Sequence, residues 1–291
     1  MKIACLAFVV MGPLLVRAGS ADSAESIIHS ARDAEQAAGF QPTGNFSSTD
    51  ARVTAYYRCY YTGKLELPRS YDDLKLRQGS KDGCSLDPEK YDVFFYPIEA
   101  VASGHTPVTE ALTTATPERI ATVVPHEDFH SQIEALPDRI AEAAATLVGF
   151  VVGAAAINNN DAELFLEKAE LINRYYNKLR QNYQAVRERR RSKRAALEEK
   201  RLLFARLQRE CAAIPEPRSF GKCVSAANNA GLVFDYTYTK FYPLLHRVFL
   251  ACNKVSKCTV EAIVNAPKKA PEERTAAYFE EFIESRRPAG L

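Results

Sequence analysis

The residues best suited to chemistry in this sequence stand together as His126-Glu127-Asp128-Phe129-His130, within a chain that has only five histidines. On a helix, residues four apart lie one turn above each other, so both imidazoles reach a single metal ion from one face. Glu127 then lies beside the open coordination position. Zinc held in this way acidifies a water molecule and a nearby carboxylate accepts its proton, which is the chemistry of a hydrolase. A chance occurrence of the pattern on a structural helix is the competing reading, and Pro125 removes one hydrogen bond from the same helix.

A catalytic zinc takes three protein ligands and leaves one position for water. The third is expected at Glu142, twelve residues after His130, in Ile140-Ala141-Glu142-Ala143-Ala144-Ala145-Thr146. A lone carboxylate on an apolar, small-residue face is costly to bury without a partner, and a cation is a suitable one. Small neighbours also let two helices approach closely. Asp138 and Glu134 are weaker candidates, nearer the turn and better suited to solvation or capping.

Two consecutive helices must position these groups. Thr116-Pro117-Glu118 is a start signal, with Thr as cap, Pro at the first position and an acid in the first turn. Pro137-Asp138 opens a second helix, expected to run to about Ile157. Asn158-Asn159-Asn160-Asp161 then caps a third, expected to continue to about Cys211, before Pro215 and Pro217. A fourth is expected over about Gly221 to Asn253, bent at Pro243, and a last over Glu272 to Arg286. Upstream, Tyr56, Tyr57, Tyr60 and Tyr61 mark a packed helix or strand, and Tyr91 to Tyr96 reads as a short strand ended by Pro97. Residues 19–50 are small and polar, and read as a loosely packed, flexible leader with one short helix at Ala24 to Ala38. Residues 51–291 are expected to form one helix-rich domain, mainly α (α+β) with a small β element.

Composition limits the alternatives. With 291 residues, 46% hydrophobic, 25% charged and a net charge of +2, the chain is neither collagen-like, nor only a coiled coil, nor wholly disordered, nor a dedicated polyanion binder. Arg187 to Arg201 carries eight basic and three acidic residues. A solvated helix face with local ion pairs is preferred there over a nucleic-acid or anionic-lipid surface, and no nucleic-acid partner is expected. The apolar run Ile140 to Ile157 contains Gly149-x-x-x-Gly153, a spacing also used by membrane helices. Its uncharged part is shorter than a membrane span, so a buried core helix is expected.

Lys2 followed by the apolar run Ile3 to Val16, with Val16-Arg17-Ala18 behind it, reads as a signal peptide over residues 1–18, cut after Ala18 or Ala21. A secreted or periplasmic location follows, with no integral membrane span in the mature chain. Besides Cys5, six cysteines remain. An even number fits disulfides in an oxidising compartment better than zinc ligation. Their grouping suggests Cys59 with Cys84, Cys211 with Cys223, and Cys252 with Cys258.

Three segments carry a resemblance: His126-Glu-Asp-Phe-His130 with Glu142 behind it; the basic tract Arg189 to Lys193 leading to Phe204-Ala-Arg-Leu-Gln208; and Asn228-Asn229-Ala230 followed by Thr237-Tyr238 and Tyr242-Pro243. In order and spacing, over about residues 90–260, they resemble the predicted bacterial aminopeptidases, zinc metallopeptidases of the gluzincin type. Asp128 and Phe129 stand where that family often has small or aliphatic residues. The resemblance implies a helix-rich, zincin-like fold, zinc ligands at His126, His130 and Glu142, a general base at Glu127, and a peptide or protein substrate. It also brings Asn228, Asn229 and Tyr238 near the site. Tyr238 is suited to stabilising an oxyanion and the asparagines to holding a peptide backbone or terminal amine; a core tyrosine and capping asparagines are the competing readings. The alternative to an enzyme is a non-catalytic secreted helical binding protein on a degenerate metallopeptidase scaffold.

Overall fold

The computed structural model describes residues 23–50, 52–101, 104–157 and 161–287. The expected signal segment, both cleavage positions and Asn158 to Asn160 lie outside the described residues. In chain order the elements are α1 (Ala24–Ala38), β1 (Tyr56–Gly63), a single 3-10 turn (Tyr71–Asp73), β2 (Lys75–Gln78) and β3 (Tyr91–Ile98). Helices follow: α2 (Glu110–Thr113), α3 (Pro117–Ile133), α4 (Asp138–Ala156), α5 (Asp161–Arg187), α6 (Lys193–Cys211), α7 (Asn229–Thr239), α8 (Tyr242–Ala251), α9 (Ser256–Val264) and α10 (Glu272–Ser285). The architecture is mainly α with one small antiparallel sheet, as the sequence implies.

Helix α4 is the centre of the molecule. It is apolar on nearly every face, so it is stable in water only when surrounded. The protein surrounds it with α1, α3, α7, α8 and α9. Ala143, Ala144, Ala145, Leu147 and Val148 are wholly buried. Among the described residues α4 alone is long and apolar enough to cross a membrane, and it is mostly buried inside the protein.

The sheet has strand order β2-β1-β3, with Tyr60 opposite Phe94 in the β1–β3 register. Both rings point inward and meet Phe234 of α7, at centroid distances of 5.5 and 4.8 Å. Alternation along the strands thus builds an aromatic layer between sheet and helices. β3 runs on through Pro97 to Ile98, beyond the expected end. As an outer strand of the sheet, β3 tolerates a residue without an N–H.

Three expectations about the elements are corrected. Residues 24–38 do form the expected helix, capped by Ser23 and ended by Gly39 at φ 90°. The segment is not loosely packed, however. Ile27, Ile28, Ala31, Glu35 and Ala38 make one buried stripe that sits on α3 and α4. Second, the long helix expected to reach Cys211 is a hairpin. Arg189 turns the chain at φ 58°, and Ser192 restarts α6 by accepting a hydrogen bond from the Ala195 N–H at 3.2 Å. Asn182 Nδ2 donates to the Ala196 carbonyl at 2.9 Å and Tyr175 to Glu210, so α5 and α6 run antiparallel. In the basic stretch Arg190 pairs with Glu188 and Arg201 with Glu198, and Lys200 is buried against Asp92. Third, the helix expected over Gly221 to Asn253 is two helices after an irregular segment. Asn228 caps α7, and Pro243 occupies the first turn of α8, where its missing N–H costs nothing, instead of bending a longer helix. The short helix α9 was not foreseen.

The six cysteines of the described residues pair as expected, Cys59–Cys84, Cys211–Cys223 and Cys252–Cys258, with Cα separations of 6.0, 5.5 and 5.6 Å.

Candidate metal centre

Helices α3 and α4 cross unusually closely, and glycine is the cause. A Cβ at Gly153 would lie 2.3 Å from the Ala121 carbonyl oxygen. One at Gly149 would lie 2.7 Å from that of Thr122 and 3.2 Å from the His126 Cβ. The Gly-x-x-x-Gly spacing therefore serves a packing between two helices of this chain. It draws the helix carrying the histidines onto the helix carrying Glu142.

In this crossing His126 Nε2 and His130 Nε2 are 3.2 Å apart. Glu142 Oε2 lies 3.6 Å from the first and 3.5 Å from the second. The three side chains are enclosed but reachable, with 16%, 18% and 12% of their surface exposed. Glu142 Oε2 is buried and accepts no hydrogen bond. Its other oxygen, Oε1, accepts one from the Tyr71 hydroxyl at 2.6 Å. The three donor groups are able to hold a metal ion.

Electrostatics favour an ionised Glu142. Burial pushes its carboxyl up, but His126 and His130 outweigh burial and hold it well below the usual carboxylate range. The reverse balance applies to Glu127. Desolvation raises it, and the two histidines offset only part of the rise. Burial pushes the phenols of Tyr71 and Tyr238 far up, reinforced by Glu142, so both remain hydrogen-bond donors at neutral pH.

Of the residues expected from the sequence, His126, Glu127 and Tyr238 line one cleft. The Tyr238 ring lies 6.3 Å from the His126 ring and 6.0 Å from that of Tyr71. Glu134 and Asp138 are exposed and take no part. Asn228 and Asn229, expected to hold substrate, are absent from this cleft and have structural partners instead. Asn228 Oδ1 accepts from the Gly231 N–H at 3.0 Å and Nδ2 donates to the Val93 carbonyl at 2.9 Å. Asn229 is fully buried. It accepts from the Tyr183 hydroxyl at 2.8 Å and donates Nδ2 to the carbonyls of Lys64 and Glu66 at 3.2 and 2.8 Å. Both donors and the oxygen of that buried side chain are engaged within the protein.

Tyr71 is the residue that sequence reasoning missed. It lies among many tyrosines, and no local pattern links it to Glu142, 71 positions away. Asp128 and Phe129 have roles inside the protein. The Asp128 carboxylate accepts from the Thr43 hydroxyl at 2.6 Å and Asn45 Nδ2 at 2.8 Å, while Phe129 is wholly buried beside Phe40. They tie the segment after α1 to the back of α3.

The fold and this cluster define a helix-rich protein built around a His-His-Glu group. A model of the family described as "Putative aminopeptidase" matches residues 84–278, and the chain belongs to that family. The match includes α3 and α4 but begins after Tyr71. Neither curated proteins nor solved structures yield a match.

Proposed function

We propose that the protein is a zinc-dependent metallopeptidase, with His126, His130 and Glu142 as ligands and Glu127 as general base. One observation carries this reading: the buried, unpartnered Glu142 Oε2 faces both Nε2 atoms across 3.5 and 3.6 Å, with 3.2 Å between the two nitrogens. Bonds of about 2.0–2.1 Å to a tetrahedral zinc correspond to ligand-to-ligand edges of about 3.3 Å. The triangle therefore fits that ion, and an ionised carboxylate with two imidazoles is a suitable donor set.

Zinc in this position supplies Lewis acidity toward water and a peptide carbonyl. The rest falls to the chain. Glu127, whose proton affinity is raised by desolvation, takes a proton from the attacking water and delivers it to the leaving amine. Tyr238 stays protonated and donates to the oxyanion. Tyr71 holds Glu142 in place through Oε1, leaving Oε2 for the ligand role. Cleavage from an amino terminus rests on the family's description. Export to the periplasm or the cell exterior is supported by the three disulfides.

Metal analysis of the purified protein, together with peptide hydrolysis, tests the reading. Glu127→Gln is expected to retain one zinc and lose about 10²–10⁴-fold in rate, whereas His126→Ala loses zinc as well. Stoichiometric absence of zinc after loading, with stability unchanged by a chelator, would establish the non-catalytic scaffold instead.

A further inference from the structure

The cleft that Glu127 shares with His126 and Tyr238 is the same space that Phe150, Phe165, Phe220, Phe234 and Tyr96 wall. We infer that this space takes an aromatic side chain of benzyl size from the substrate, beside the bond to be cut; the inference rests on the peptidase reading. The cleft as a whole, His126 and Glu127 included, has a volume of about 150 Å³, the size of a cavity that holds one benzene ring. Its rings already meet edge to face: Phe165 and Phe220 at 5.0 Å and 88°, Phe150 and Phe220 at 5.8 Å and 70°. A further ring extends that arrangement favourably.

Charge narrows the choice. Both ion pairs lining the space are internally neutralised. Arg119 is held by Glu99 through two contacts of 3.2 and 3.1 Å. Lys168 pairs with Asp235 at 3.1 Å and also lies over the rings of Phe165 and Phe220, at 5.3 and 5.1 Å. Asp235 is further occupied by the Ser225 N–H and hydroxyl, at 2.7 and 2.8 Å. A charged substrate side chain would have to break one of these pairs or remain desolvated without a partner. A methyl side chain would leave the ring faces uncovered.

The test is cleavage of a pooled peptide library by the zinc-loaded full chain, read by mass spectrometry, followed by kcat/KM for matched peptides carrying Phe, Ala, Lys, Glu or Trp beside the cut. Phe is expected to exceed Ala by at least about tenfold, the low end of what one apolar contact discriminates, with Lys and Glu lowest. Phe220→Ala is expected to move the preference from Phe to Trp; Phe220→Leu, a milder change, guards against simple loss of folding. Equal rates for Phe and Ala, or a preference for Lys or Glu, would overturn the inference while leaving the peptidase intact. If zinc binds but no peptide is cut, the peptidase reading fails. Calorimetry with phenylalaninamide and alaninamide then decides the cleft alone: tighter binding of the first sustains an aromatic site, and equal or absent binding overturns it.

Discussion

Two buried polar clusters in this protein contain similar groups and differ in what is left over. Around Asp92, one carboxylate oxygen faces the Lys64 ammonium at 3.1 Å, and the other accepts from Lys200 and from the Asn229 N–H at 2.8 Å. Asn229 completes the cluster with Tyr183 and two backbone carbonyls. Every group has its partner, and the cluster locks β3, α5, α6 and α7 together. Around Glu142, one oxygen is matched by Tyr71 and the other faces two ring nitrogens without accepting a hydrogen bond. A buried group left unsatisfied carries a cost, which an ion or another bound partner would offset. The complete network serves architecture, and the incomplete one at Glu142 is where we propose the metal.

The sharpest way to break this comparison is Asp92→Ala, which leaves the buried Lys200 ammonium uncompensated. Urea unfolding is expected to show a loss of about 3–5 kcal/mol, with zinc content of the folded fraction unchanged. Zinc lost at unaltered stability would exchange the roles of the two clusters. Gly153→Ala acts on the crossing of α3 and α4. Its Cβ meets a backbone oxygen at 2.3 Å, which no side-chain rotation relieves. About 1–3 kcal/mol of destabilisation is expected, accompanied by weaker zinc binding because the histidines move away from Glu142.

Tyr71→Phe separates the site from the scaffold more finely. Removing the hydrogen bond to Glu142 Oε1 is expected to weaken zinc about 10–100-fold, measured by competition with a chelating dye, with only a small shift in unfolding. Undiminished affinity would show that Glu142 is held without Tyr71. A last prediction concerns pH dependence and Glu35, buried on α1 against Asp128. Burial first, then the Asp128 charge, raises its pKa from 4.5 to about 9, while Arg32 pulls it down. The folded protein therefore keeps a proton that the unfolded chain releases above 4.5. Glu35's contribution to stability is complete below that pH and declines as pH rises toward 9. Glu35→Gln should flatten the fall in Tm between pH 6 and 9, and an unchanged slope would remove Glu35 as its source.

How much was legible depended on how local the signal was. The start of α3 was, because Thr116, Pro117 and Glu118 act within one turn. The disulfide partners were, because they lie near each other along the chain. The break between α5 and α6 was not, since Ser192 is one serine in a helix-forming tract, and the packing of α5 on α6 favours the turn that makes it a cap. Gly149 and Gly153 stand out by their spacing, but only Ala121 and Thr122 beneath them show that it joins two helices of one protein. Asn228 and Asn229 were conspicuous in the sequence because they are polar and adjacent. Burial turned them into a helix cap and a satisfied hub.

The sequence alone determined that His126 and His130 share a helix face, because four residues of helix bring any two side chains into register whatever surrounds them. It also determined that α4 must be covered, because so few of its residues tolerate water. Tertiary structure decided that Glu142 faces those rings, that Tyr71 takes its other oxygen, and that aromatic residues from four elements and the turn at Phe220 enclose one space. These are contacts between segments far apart in the chain, created only when burial of α4 forces its neighbours around it.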